Sequence, residues 1–302
     1  MKINIYISLF LLIFFNISLP TCVYTPFDIS MKTQNTIQKV NVERMHFLLH
    51  NDVQSMLAFF RAYYEYKSFL IIKPTVDIKI PKIIHQIWIG KEVPQEFESY
   101  CNSWKKHHPD WEYKLWTQHD IPNLLLHNKD LIVSSRNPGE ISDLLRYEIL
   151  YQFGGVYVDM DFECLAPLDE LHYRYDFYIG LQPLDSELVQ VGIGLIGTIP
   201  GHPILKNSYE SIATKWHDPL FEHMATGRTG PIHFTNIFCD LAGKTGYCDV
   251  VLPAHYFYPL GCTEFELHTQ EWLASGSFAV HHWAKSWLIP ECRREQFRSI
   301  HN

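Results

Sequence analysis

The sequence has no CxxC pair, no Walker lysine, no clean A-x-A cleavage site and a single N-x-S/T sequon, at Asn16. Without CxxC a structural zinc site is not expected. The lone sequon lies in an apolar stretch and carries no glycosylation argument. Positive charge is also short: 25 Lys and Arg stand against 33 Asp and Glu, a formal net charge of −8 over 302 residues. That balance argues against a nucleic-acid partner held through phosphate contacts. Low hydrophobicity is missing too. Apolar residues reach 47%, enough for a full core and too many for a disordered chain. The length allows one large domain, or one domain with a small appendage.

Residues 3–19, INIYISLFLLIFFNISL, are almost continuously apolar after Lys2. The run is too long for a core strand and reads as a secretory h-region or a short membrane anchor. Residues 1–21 are therefore expected to be a leader. Either form puts the rest of the chain on the far side of a membrane from the cytoplasm, secreted or membrane-associated. Outside the leader six cysteines remain, and Cys239 with Cys248 is the first candidate disulfide; six buried thiols is the alternative.

Residues 22–40 read as a polar linker. Val42, Met45, Leu48, Leu49, Val53, Met56, Leu57 and Phe60 then recur at helical spacing, giving a helical stem up to residue 78. The main domain is expected over 79–302. Pro81–Gly90, PKIIHQIWIG, reads as a buried first strand closed by glycine, with Trp88 at its carboxyl end, where an indole could stack on a base. Glu98–Lys106 reads as a helix and Trp111–Trp116 as a second strand, with His107 and His108 on the surface of the turn between them.

The densest signal is Ile141–Asp161, ISDLLRYEILYQFGGVYVDMD. Asp143 and Arg146 are three apart and share a helix face. Leu144, Leu145, Ile149 and Leu150 give that helix its apolar side. Gly154-Gly155 can take the positive φ that ends a helix. Val156-Tyr157-Val158 opens a strand. Asp159 and Asp161 are two apart, so on an extended chain both carboxylates point one way. Two hard oxygen ligands at a strand end suit Mn²⁺ or Mg²⁺ shared with substrate phosphates. Further on, Gln190–Thr198 is glycine-spaced and reads as a strand with close backbone approach. Gly230-Pro231 reads as a turn opening a helix whose free N–H groups favour phosphate or sugar oxygens. The segments at 251–253 and 256–259 read as short edge strands. Phe278–Leu288, FAVHHWAKSWL, reads as a strand leading into paired histidines.

The order of these pieces resembles the sugar-nucleotide-binding region of the DXD glycosyltransferases of family 32, the capsular-polysaccharide and α-1,4-galactosyl transferase group. The "IWIG" ending, the "NSWKKHHPDWEYKLW" stretch, the "TGP" turn and the C-terminal "HxxxxSW" pattern carry the rest of the likeness. The resemblance implies an α/β fold of GT-A type, a mixed and mainly parallel sheet flanked by helices. It implies retaining transfer of a hexose from a nucleotide sugar, UDP- or GDP-linked, to a glycan or glycolipid. A protein acceptor and a non-catalytic carbohydrate-binding protein are the alternatives. The implied metal ligands are Asp159, Asp161 and His281, with Mn²⁺ or Mg²⁺ as the ion. The implied donor contacts are Trp88, Asp143, Arg146, Tyr157, Gly230, Lys285, Ser286 and Trp287. The family's asparagine near Gly192 or Ile193 is missing.

Overall fold

The computed structural model describes residues 23–90, 92–264, 269–274 and 276–284. Lys285, Ser286, Trp287 and the apolar leader lie outside the described residues, and no described helix is long and apolar enough to cross a membrane.

Helix α1 (Val42–Leu49) is capped by Asn41, which accepts from Arg44 N at 3.0 Å. Helix α2 (Val53–Lys67) is capped by Asp52, which accepts from Ser55 N at 3.0 Å. These caps satisfy N–H groups that a helix start leaves open. Apart from Val42, which is exposed, both helices bury the expected apolar stripe in the core shared by the whole molecule. The segment expected as a linker is not one beyond its first residues. Short helices run over Phe27–Ser30 and Thr33–Thr36, with Phe27 and Met31 buried in that core. Two apolar anchors are too sparse to show a period, so composition alone reads as linker.

Strand β1 (Ile83–Trp88) leads to α3 (Glu98–His107) and β2 (Glu112–Thr117). Helix α4 (Pro138–Phe153) starts at Asn137, whose side chain accepts from Gly139 N at 2.9 Å, with proline at the first helical position. It stops at Gly154, φ +63°, where a Cβ would come within 2.7 Å of Pro200. Only glycine fits that turn. Strands β3 (Gly155–Val158), β4 (Phe162–Cys164), β5 (Phe177–Leu181) and β6 (Val191–Thr198) follow. Then come α5 (Pro203–Lys215), α6 (Pro231–Leu241), β7 (Asp249–Leu252) and β8 (Ala279–His281).

Six strands form one sheet in the order β2-β1-β3-β6-β5-β7. The β1–β2, β1–β3 and β5–β7 pairs are parallel, and β6 lies antiparallel to both its neighbours. The sheet is thus mixed and mainly parallel, as expected. A separate two-stranded sheet pairs β4 with β8, His281 standing opposite Phe162.

Gly192, Gly194 and Gly197 lie inside β6, extended and buried, so the glycine-spaced run is the strand expected. Three local expectations change. His108 is buried, because its Nε2 accepts from Leu168 N at 2.9 Å. The 256–259 segment is no edge strand: a helical turn over Ala254–Tyr256 buries the rings of Tyr256, Phe257 and Tyr258. Cys239 and Cys248 are free thiols, each raised above its ordinary pKa chiefly by burial.

Candidate metal and donor site

Helix α4 is buried nearly all round, so its charged side chains need partners inside the protein. Glu140 pairs with Arg228, and Glu148 accepts from Asn128 N at 2.8 Å. Asp143 and Arg146 turn towards the end of β3. Arg146 Nη2 lies 3.1 Å from Asp143 Oδ1 and 3.3 Å from Asp159 Oδ1, while its Nη1 donates to Ile193 O at 2.8 Å. The guanidinium lies over the Tyr157 ring, 4.4 Å from the centroid. Burial opposes its charge, but Asp159 and Asp143 outweigh that and raise its pKa, so it stays cationic. Asp143 also accepts from Thr229 Oγ1 at 2.8 Å. Burial is nevertheless the larger effect there and pushes the Asp143 carboxyl up to about 6.

Tyr157 is buried, and its phenol donates to Asp159 Oδ1 at 2.6 Å. Burial raises its pKa well above normal, so the donor proton stays in place. The Asp159 backbone N–H donates to Gly194 O of β6 at 2.8 Å, tying this residue to the large sheet. A Cβ on Gly194 would meet Asp159 Oδ2 at 2.7 Å, so the bare backbone is what leaves room for the carboxylate.

Asp161 is held from elsewhere. Its backbone carbonyl accepts from His282 N at 2.9 Å, and its Oδ2 accepts from Ala284 N at 2.8 Å. Its Oδ1 faces His281 Nε2 at 3.1 Å. Burial opposes ionisation of Asp161, yet His281 and the Ala284 N–H outweigh it and hold the carboxyl below its usual range. His281 stacks on Phe162 at 4.6 Å, and its Nδ1 is buried without a protein partner.

Ligand atoms of Asp159, Asp161 and His281 fall within 4.8 Å of one another. Two carboxylates and an imidazole, one of whose ring nitrogens is an orphan, fit a divalent ion. The imidazole favours Mn²⁺ over Mg²⁺. The structure therefore brings together six predicted residues: Asp143, Arg146, Tyr157, Asp159, Asp161 and His281. Trp88 ends β1 against Phe97, and its indole Nε1 is buried without a partner. A cavity of about 670 Å³ runs beside it, lined by Val93, Glu98, Tyr113 and Met160 among others. Gly230 caps α6, and its neighbour Thr229 reaches the site.

Three contributors were not read from the sequence. Gln86 donates to Asp159 O at 3.3 Å and accepts from Tyr113. Thr229 holds Asp143, and Gly194 clears space for Asp159. The glycine spacing in β6 and the TGP turn that begins at Thr229 were the signals available for them.

Residues 94–178 match a family model described as a glycosyltransferase sugar-binding region containing a DXD motif. Over these residues the chain is similar to the DXD-containing glycosyltransferases. The matched region spans Asp143, Arg146, Tyr157, Asp159 and Asp161, whereas Thr229 and His281 reach the same site from outside it. Inositol phosphoceramide mannosyltransferase 1 of Schizosaccharomyces pombe is 30% identical over 170 residues, 53% of this chain and 52% of its own length. Mannosyl phosphorylinositol ceramide synthase SUR1 of Saccharomyces cerevisiae is 30% identical over 192 residues, 59% of this chain and 47% of its own length. The chain thus spans about half the length of the curated relatives it matches. Among solved structures, the catalytic domain of alpha-toxin from Clostridium novyi aligns with 12% identity and a TM-score of 0.47, covering 92% of this chain and 93% of that one.

Proposed function

We propose that the chain is a metal-dependent, retaining hexosyltransferase of GT-A type that uses a UDP- or GDP-sugar. The observation that carries this reading is the convergence of Asp159, Asp161 and His281 beside the buried Asp143–Arg146 pair. Asp159, Asp161 and His281 would hold Mn²⁺. Bound there, the ion would act as a Lewis acid on the departing nucleoside diphosphate.

The chain's own residues supply the rest. Asp143 and Arg146 would bind sugar hydroxyls through charge-assisted hydrogen bonds. Tyr157 orients Asp159 and borders the sugar. Trp88 stacks on the base, with the cavity beside it taking the nucleoside. The N–H groups at the Gly230 turn and Lys285 would meet diphosphate oxygens. Ser286 and Trp287 follow in sequence the Ala284 that clasps Asp161, and would close over the donor. With the metal bound, the carboxylates at this site would be committed to it and to Arg146. That supports front-face transfer without a covalent sugar–enzyme intermediate over a two-carboxylate scheme.

The relatives' names favour a glycolipid acceptor. The apolar leader is consistent with work at a membrane, with the domain over 79–302 on its far side. The test is donor hydrolysis: the full chain with Mn²⁺, screened against UDP- and GDP-sugars, with Asp161→Ala as control. Nucleotide release from one donor, lost in the variant, is the expected result. No release together with no nucleotide binding in calorimetry would sink the catalytic reading.

A further inference from the structure

One end of the molecule displays an apolar edge that the site does not use. Tyr66, Leu70, Ile71, Val76 and Ile78 are exposed by 72%, 58%, 58%, 96% and 38%. Single exposed apolar side chains are ordinary, but five within one short segment form a patch.

The backbone explains why these side chains face outward. After α2 the chain turns, with Ile71 N and Ile72 N both donating to Ser68 O, at 3.0 and 2.9 Å. Phe69 tucks inward, edge-on to Tyr256 at 5.5 Å. Arg174 donates from within to the carbonyls of Phe69 and Ile72. Farther along, Thr75 N donates to Tyr173 O at 2.7 Å and Lys79 N to His172 O at 2.9 Å. The segment is thus pinned from its inner side, and Leu70 and Ile71 are left pointing away.

The same place receives the start of the described chain. Tyr256 OH donates to Val23 O at 2.8 Å, and Thr25 N donates to Tyr256 OH at 3.0 Å. Tyr64 OH donates to Thr25 O at 3.0 Å, and the Tyr24 ring stacks on Tyr64 at 5.7 Å. One tyrosine, Tyr256, therefore anchors both Val23 and the loop that presents Leu70 and Ile71. The apolar run of residues 3–19 ends four residues before Val23. Four residues reach at most roughly 14 Å. A leader inserted in a bilayer would accordingly bring this end of the fold to the lipid surface.

We propose that residues 66–78 form a membrane-contacting edge, seating on the bilayer that holds the leader. Leu70, Ile71 and Val76 would enter the headgroup–acyl boundary, with Tyr66 at headgroup level. Lys67 and Lys73 flank the patch and can keep their ammonium groups in water. Glu65 and Asp77 offset those charges locally, so apolar contact carries the binding and salt should change it little. Strands β1, β3 and β5 share one direction, and the patch lies before their first residues: Ile80 precedes β1, and Tyr175, whose OH donates to Lys67 O at 2.8 Å, precedes β5. The metal triad lies beyond the last residue of β3. Patch and site therefore occupy opposite ends of the sheet, about 20 Å apart along the strands. The proposal holds whichever sugar is transferred.

The test uses the full chain reconstituted in phosphatidylcholine vesicles with brominated acyl chains. Ile71→Trp and Val76→Trp report on the patch, and Val133→Trp, at a side chain 75% exposed elsewhere, is the control. The added emission of the two patch indoles should be blue-shifted and lost to bromine quenching at low and high salt, and that of the control should not. Quenching no greater than the control's would overturn the proposal. So would a blue shift that depends on protein concentration without quenching, which would mean a second copy of the chain covers the patch. If a variant fails to fold, hydroxyl-radical footprinting of the unmodified chain decides. Tyr66, Leu70 and Ile71 should label weakly in vesicles relative to Val133; equal labelling overturns the assignment.

Discussion

The Arg146 guanidinium stands between two carboxylates, with Nη2 3.1 Å from Asp143 and 3.3 Å from Asp159. A planar fork can do this while its other arm donates to Ile193 O; a lysine ammonium cannot hold all three. Arg146→Lys should leave part of the buried charge uncompensated and destabilise the fold by about 3–5 kcal/mol. It should also weaken Mn²⁺ binding, because Asp159 loses one of its restraints. Urea unfolding and a Mn²⁺ titration by calorimetry check the two effects separately.

The sign of the Asp143 contribution follows from its raised pKa, about 6 against an ordinary 3.8. Between those values the native state keeps a proton that the unfolded chain has released. Stability from this group is full below the unfolded value and is lost as pH rises through about 6. Asp143→Asn removes that dependence. The stability of the wild type relative to the variant should therefore increase on going from about pH 7 to about pH 4.5. Paired urea denaturation curves at the two pH values read it directly, and a flat difference would contradict the burial argument.

Gly194→Ala tests the space left for Asp159. The new methyl would lie 2.7 Å from Asp159 Oδ2 and 2.8 Å from the Phe162 ring. Overpacking of this kind costs about 1–3 kcal/mol. The more telling result is expected at the ion. Mn²⁺ affinity should fall together with stability, because the carboxylate that must move is a proposed ligand.

His281→Ala removes the third proposed ligand. Loss of outer partners to a metal site already lowers affinity by roughly 10–100-fold, and loss of a ligand should cost no less. The electron paramagnetic resonance signal of free Mn²⁺ in the presence of protein measures it. Unchanged affinity would remove His281 from the ligand set.

Trp88→Ala separates nucleoside recognition from metal binding. Base–aromatic stacking is worth about 1–3 kcal/mol. UDP or GDP affinity should drop by that amount, while Mn²⁺ titrated without nucleotide binds as before. Calorimetry with and without nucleotide distinguishes the two.

The parts of this fold legible in the sequence are those with a short period. An apolar run closed by glycine exposed β1, alternation exposed β2, helical spacing exposed α1, α2 and α4, and the i, i+2 rule put Asp159 and Asp161 together. The His281 segment came from resemblance alone, since nothing local links it to residue 161. His108 and Tyr256 were misread because burial depends on distant partners, Leu168 in one case and the Val23–Thr25 segment in the other. Gln86 gave no signal, because a single amide looks the same in a loop as beside a carboxylate, and the TGP turn marked Thr229 without linking its hydroxyl to Asp143.

Asp159 and Asp161 are near neighbours in sequence but hang from separate sheets, one tied to Gly194 of β6 and the other clasped by the backbone of residues 282–284. Both aspartates leave the ribosome long before that clasp is made. A nascent chain, or one cut between Leu165 and Phe278 and stripped of its tail, would still display its Asp-x-Asp yet lack the grip that aims the second carboxylate. Under the proposed ligand set, ability to hold the ion would be a late event in the life of the molecule, and would certify that the C-terminal segment has been synthesised and docked.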